Sequence, residues 1–409
     1  MSSPATKQRS AYWDNIKGLL MLLTVFAHIL YQLQDKSSAV NATVDCIYMF
    51  HMPAFVFVSG YFGKSERSRS FQSILKLIML YYIFNSITGF IYGFTSLLEP
   101  MYSYWYLIAL IAWRLTAHRI AKFKEINLIL FVVGLFAGFY PTIDNHFAAA
   151  RILCFYPYYM CGYLLSQEKS EELIHKKYLS RAAIGLATVA GALLLSVGAY
   201  LYFGYTDGAL TMEGYDEPMG AFGRLVLYLI SFLAIWALRR ITPDRNIPLL
   251  TKFGQNSLWI FILHRPFTLL LSKYIDKLSP VLMIVIALAA AVVFCLVLGN
   301  DLLVKYMDKL IDGCTAIFTS EEKKKFDLSR LVVLGVSLFF IVNIVLESYD
   351  GVKFDDLKKL FKGEYTEANT ENENDAETDV LYPIMDAGQQ ARFDNAFRIT
   401  FSGDLILLE

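Results

Sequence analysis

Residues 13–31 read Trp13-Asp14-Asn15-Ile16-Lys17-Gly18-Leu19-Leu20-Met21-Leu22-Leu23-Thr24-Val25-Phe26-Ala27-His28-Ile29-Leu30-Tyr31, and two polar groups in this run decide how the chain is read. From Gly18 to Tyr31 the run is apolar except for Thr24 and His28. At about 100° and about 1.5 Å per helical residue, the step from Lys17 to His28 returns to within about 20° of the same face, about 16 Å along the axis. As a membrane helix, the run has Lys17 at its water boundary and the His28 imidazole on the same face near mid-bilayer. A protonatable group at that depth is expensive in lipid, so it must face a cavity or a partner, and it is a functional candidate by default.

Composition agrees with a membrane reading. Of 409 residues, 56% are hydrophobic and 15% aromatic, and the mean hydropathy is +0.43. The apolar runs are continuous rather than alternating, which disfavours a β-barrel and predicts an all-α, polytopic transmembrane helical bundle. The 37 basic and 37 acidic residues cancel, so net charge selects no partner and gives no sign of nucleic acid. Cys46, Cys154, Cys161, Cys295 and Cys314 lack metal-ligand or CxxC spacing and read as small core hydrophobes. The first apolar run lacks a small-residue cleavage site, so no cleavable signal peptide is expected.

Eleven spans are expected, near 18–34, 43–62, 74–94, 102–117, 126–141, 148–166, 182–203, 222–238, 254–272, 279–304 and 331–348. Cations alternate between connections. Lys7, Arg9 and Lys17 precede the first span, and Lys64, Arg67 and Arg69 follow the second. Further clusters follow the fourth, sixth, eighth and tenth spans, whereas the connection after the seventh is acidic and Gly-rich. By the positive-inside rule the N-terminus is cytoplasmic and the C-terminus, after an odd number of spans, is extracellular. The expected organisation is a membrane domain over 1–310, an amphipathic linker and eleventh span over 311–350, an acidic disordered linker over 351–395, and a short extracytoplasmic tail over 396–409. That tail alternates like the first strand of a further domain.

Asp14, Lys17, His28 and His264 lie in or beside apolar segments where a purely structural helix gains nothing from them. Asp14 and Lys17 are spaced i,i+3 to neutralise one another at the interface. His51 opens His51-Met52-Pro53, where Pro53 removes a backbone hydrogen bond within a span. His264 is followed by Arg265-Pro266, again disturbing a helix. The plain alternative for each histidine is a packing role, hydrogen-bonded to a neighbouring helix. His118, His146 and His175 fall in connections and read as solvated. No span carries two ligands at i,i+3 or i,i+4, so no metal is expected. The cationic stretch 63–76 (GKSERSRSFQSILK) either holds phosphates at the mouth of the bundle or only fixes orientation.

Several motifs in order carry a resemblance. They are Trp13-Asp14 with Lys17-Gly18 and His28; His51-x-Pro53 with Ser59-Gly60-Tyr61-Phe62; Trp105-Tyr106-Leu107; Phe155-Tyr156-Pro157 with Gly162-Tyr163; and Gly254-x-x-Ser257-Leu258 with His264. Together, over about residues 10–305, they resemble the acyltransferase 3 family, nearest the branch named for fucose 4-O-acetylases. The most specific is the first, a cation and a histidine separated by ten residues. The resemblance implies ten family helices, here with an eleventh span, and a membrane O-acyltransferase using acyl-CoA, acetyl-CoA in particular, on a surface glycan or cell-wall acceptor. It implies a catalytic set of His28, Asp14, His264 and His51, and a donor-binding set of Lys17, Arg67, Arg69, Lys76 and Trp105. Two departures stand out. The family's basic position is commonly Arg, and Lys17 keeps the charge without the bidentate fork. Its Arg-x-x-Arg at the third span reads Ser73-x-x-Lys76, with Arg67 and Arg69 nearby as substitutes. An added span and outer domain are similar to peptidoglycan O-acetyltransferases, although Gly403-Asp404 is followed by Leu405 where their SGNH-type domain has its serine.

The expected chemistry is acyl transfer across the membrane, with His28 as general base or transient acyl carrier. His264 and His51 are expected to polarise the thioester carbonyl or to orient His28. The rival is a transporter or flippase of a lipid-linked glycan, which predicts inverted repeats that the sequence does not display. A non-catalytic scaffold has no use for His28.

Overall fold

The computed structural model describes residues 10–92, 100–140, 148–203, 215 and 220–319. The chain divides into units 1–355 and 356–409; the account below concerns the first. The expected eleventh span, acidic linker and terminal strand lie outside the described residues. Within them, every secondary-structure element is helical, and each of the ten remaining expected spans falls on a helix.

Helix α1 (Ala11–Leu30) begins earlier than the expected span, so Asp14 falls in its first turn. A carboxylate there meets the positive end of the helix dipole, and buried Tyr12, Trp13 and Ile16 extend the packed face toward the start. The second span is two helices, α2 (Ser38–Tyr48) and α3 (His51–Gly63). The restart at His51 puts Pro53 in a first turn, where a missing N–H is least costly. Its absent bond to the Met49 carbonyl is replaced by the Ser231 hydroxyl, which donates to that oxygen.

The short α4 (Glu66–Arg69) leads to α5 (Phe71–Tyr92), α6 (Trp105–Ile120), α7 (Ile126–Phe136) and α8 (Ala149–Leu164). A surface helix α9 (Gln167–His175) is capped by Ser166 and followed by α10 (Tyr178–Phe203) and α11 (Gly220–Ile241). The ninth span is again divided, into α12 (Pro248–Gln255) and α13 (Ser257–Ile275). Asn256 at the break donates through Nδ2 to the Gly299 carbonyl (2.8 Å) and to Asp301 (3.0 Å). Helices α14 (Pro280–Leu298) and α15 (Asp301–Thr319) complete the described chain. At the start of α15, hydrogen bonds from Lys252 and Asn256 hold the Asp301 carboxyl below its usual range.

The polarity is inverted relative to a water-soluble bundle. Val281, Val285, Val293 and Val297 of α14 and Ile184, Leu186 and Leu194 of α10 are exposed, while Asp14, Asn15, His51, His264, Arg265 and Thr268 are buried. Five runs are long and apolar enough to cross a membrane: Ala11–Lys36, Ser38–Gly63, Tyr178–Leu195, Gly220–Ile241 and Pro280–Leu298. Apolar outside and polar within is the arrangement a hydrocarbon solvent selects, and the chain is a membrane protein.

Helix α1 sits at the centre, packed on α2, α3, α12, α13 and α14. Its approach to α12 depends on two glycines: a Cβ on Gly18 would overlap the Leu250 carbonyl, and one on Gly254 the Asp14 carbonyl.

Candidate active site

Two hydrogen bonds define how the central helices align. Thr251 donates to Asn15 Oδ1 (2.6 Å) and His28 meets His264 (2.7 Å), each pair 236 residues apart in sequence. α1 and the α12–α13 run therefore lie parallel and in step. Helix α3 runs the other way, with Trp13 stacked on Tyr61 (4.3 Å between centroids) and His28 edge-on to His51 (6.4 Å). Three histidines from three helices thus converge at one depth. His51 and His264 are buried, whereas His28 keeps accessible surface although it faces the bundle interior.

Backbone carbonyls assign the ring protons. His264 Nδ1 lies 2.7 Å from the Phe261 carbonyl and 3.2 Å from that of Ile260, so this nitrogen carries the hydrogen. In the neutral ring, Nε2 is then the acceptor, and His28 Nδ1–H donates to it across 2.7 Å. His28 is left with its lone pair on Nε2, which no hydrogen bond engages among the described residues. His51 Nδ1–H donates to the Ile47 carbonyl (2.9 Å), and its buried Nε2 has no hydrogen-bond partner among the described residues. Both accessory rings therefore offer acceptors. As neutral rings they cannot polarise a carbonyl by donation, and the geometry supports orientation of His28 by His264 instead.

Pro266 follows two residues after His264 and leaves the Ile262 carbonyl without its helical donor. The Tyr104 hydroxyl supplies it (3.1 Å) and also meets Thr88 (3.2 Å). On α3 the Ser59 hydroxyl bonds that of Tyr106. Neighbouring helices thus replace the bonds that both prolines remove near the histidines.

At the other end of α1, Lys17 pairs with buried Asp14 (2.8 Å) and lies 5.5 Å from the Phe62 ring centroid. Lys64 lies over Tyr61 (4.6 Å) and bonds the Leu165 carbonyl. Arg67 is exposed and Arg69 half-buried, and Arg114 donates to the Ser68 carbonyl (3.3 Å). Lys76 is held by Asp308 and Asp312 of α15, each at 3.1 Å. Trp105 is not brought to Lys17: it packs on Phe155 (5.1 Å) and lies under the Arg151 guanidinium (5.6 Å), at the start of α6. His118 and His175 are exposed, and His146 lies outside the described residues.

Lys64 belongs to the cationic stretch 63–76 already singled out in the sequence; sequence reading missed Arg114 at the Lys17 end, and Tyr48, Tyr104, Arg151 and Arg265 near the histidines. Tyr48 lies 4.9 Å from His51 and stacks on Tyr31 (5.5 Å). Arg265 carried a signal, a cation inside an apolar run directly after His264. The tyrosines carried none, because tyrosines are frequent throughout the chain.

Two relatives, both called Nodulation protein NolL, are each 24% identical to this chain. That of Sinorhizobium fredii aligns over 206 residues, 43% of this chain and 55% of its own. That of Mesorhizobium japonicum aligns over 190 residues, 41% and 50% respectively. The chain thus spans about half the length of the curated relatives it matches. No solved structure matches. The acyltransferase 3 family model, described as an acyltransferase domain, matches residues 10–300 and so takes in every histidine of the cluster; the chain belongs to the acyltransferase 3 family.

Proposed function

We propose that the protein moves an acetyl group from cytoplasmic acetyl-CoA to a hydroxyl of a cell-surface glycan or cell-wall acceptor, within the lipid bilayer of the cell membrane. One observation carries this reading: His264, tied to its own helix, accepts a hydrogen bond from His28 Nδ1–H, which leaves His28 Nε2 as a base facing the interior. By the positive-inside pattern the Lys17 end is cytoplasmic and the C-terminus extracellular. The donor's phosphates sit at the rim formed by Lys17, Lys64, Arg67, Arg69 and Arg114, with Asp14 fixing Lys17. Its pantetheine arm covers the ~16 Å to His28.

His28 Nε2 takes the acceptor's hydroxyl proton as that oxygen attacks the thioester carbonyl carbon. The C–O bond forms, the C–S bond breaks, and the same nitrogen returns the proton to the departing sulfur, giving an acetyl ester and free CoA thiol. His264 stabilises the intervening imidazolium, and His51, edge-on to the His28 ring at 6.4 Å between centroids, holds that ring in position.

The test is transfer of labelled acetyl from acetyl-CoA to surface glycan by the full chain in proteoliposomes. His28→Ala is expected to lower transfer by about 10²–10⁴-fold, the usual contribution of a positioned base. A well-inserted His28→Ala protein with undiminished transfer removes His28 from the reaction. No transfer by the intact protein, with glycan translocation instead, favours the flippase.

A further inference from the structure

Past the histidine pair, on the side away from Lys17, the bundle holds a second cationic centre for which the acyl-transfer chemistry has no role. Arg265 is 6% exposed, and its Nε is buried without a hydrogen-bond partner. Among the described residues no carboxylate or carbonyl is hydrogen-bonded to its guanidinium, which lies over the Tyr102 ring, 4.4 Å from the cation to the centroid. Tyr102 itself has φ 48°, the left-handed region that bulky residues avoid. A strained backbone is thus retained where it presents an aromatic face to this cation. Arg151 lies over Trp105 in the same region, and the charges of Arg151 and Arg265 both reach Tyr48, while that of Arg265 also reaches His28 and His264.

A buried guanidinium without a counter-charge is unfavourable, and a single ring face compensates only part of its lost hydration. Planar bidentate recognition of carboxylate or phosphate oxygens is what this group does best. Rings flanking a cation also suit the apolar faces of sugars.

We propose that Arg265, with Arg151, Tyr102 and Trp105, forms an acceptor subsite that binds an anionic group carried by the glycan, so that the acceptor is an acidic saccharide and not a neutral one. This rests on the acyl-transfer reading for the word acceptor, but binding can be measured without transfer. The anion then sits beside His264 and presents a neighbouring hydroxyl to His28 Nε2.

The experiment measures binding of a fluorescent glucuronate-bearing oligosaccharide, and of its uncharged glucose counterpart, to the full chain in phosphatidylcholine nanodiscs without donor. The wild type is expected to bind the acidic sugar at least about tenfold more tightly. Arg265→Gln is expected to abolish that preference while leaving neutral-sugar and acetyl-CoA binding unchanged, and Arg265→Lys to restore part of it. Equal wild-type affinity for the two sugars overturns the proposal, even if neither variant folds. So does an equal loss for both sugars in a well-folded Arg265→Gln protein. A parallel arm adds phosphatidylglycerol: Arg265-dependent thermal stabilisation by this lipid, with no acidic-sugar preference, assigns the site to a headgroup and overturns the proposal. Acidic-sugar preference without any acetyl transfer keeps the subsite and rejects the acyl-transfer reading.

Discussion

His264 spends its Nδ1 proton on its own helix and its Nε2 lone pair on His28, so its whole hydrogen-bonding capacity goes to holding one ring in one tautomer. His264→Ala is therefore expected to lower kcat for acetyl transfer about 10–100-fold with little change in donor KM, because His28 loses its anchor but keeps its place on α1. His264→Gln, whose side-chain oxygen can accept from Nδ1–H, is expected to keep more activity than Ala; equal loss in both would argue against tautomer control. Tyr104 makes the corresponding structural contribution. Tyr104→Phe leaves the Ile262 carbonyl beside Pro266 unsatisfied and is expected to cost about 1–3 kcal/mol, read as a lower denaturation midpoint. The histidines were legible in sequence because a titratable ring stands out in an apolar run. Tyr104 and Ser231 were not: each answers a carbonyl exposed by a proline on another helix, 158 and 182 positions away, and nothing local to either residue announces that need.

Among the elements, the contact of α1 with α12 leaves no space between backbones at Gly18 and Gly254. Gly254→Ala is expected to destabilise by about 1–3 kcal/mol, the usual cost of overpacking, and to displace the start of α1 with its Asp14–Lys17 pair. Detergent melting together with a rise in acetyl-CoA KM would show both effects. Lys76 presents the opposite case. Its ammonium joins α5 to α15 through two half-exposed to exposed carboxylates, so Lys76→Ala is expected to change stability by no more than about 1 kcal/mol and to leave donor KM unaltered. A large rise in that KM would return Lys76 to the phosphate rim. The positions of the helices were readable because each span is a continuous apolar run. Their interruptions were readable only where proline marks them: Pro53 signalled the α2–α3 break, whereas the α12–α13 break depends on Asn256 reaching Gly299 and Asp301, residues that are distant in sequence.

On the scale of the whole molecule, the apolar exterior and polar interior were foreseeable from composition, since a bundle this hydrophobic has few polar residues and must turn them inward. Which of them meet was not foreseeable. The equal 236-residue offsets that align α1 with α12–α13 are a property of packing, invisible to the periodicity of either segment alone. That alignment has an electrical consequence for the proposed reaction. Because the imidazole chain ends on the Phe261 carbonyl, a proton collected by His28 has no onward conductor and returns to the sulfur. Each turnover then exchanges one acetyl group outward for one hydrogen inward, with no change in the charge of donor or acceptor, and so moves no net current. Initial rates in sealed vesicles are accordingly expected to be the same with and without a potassium diffusion potential.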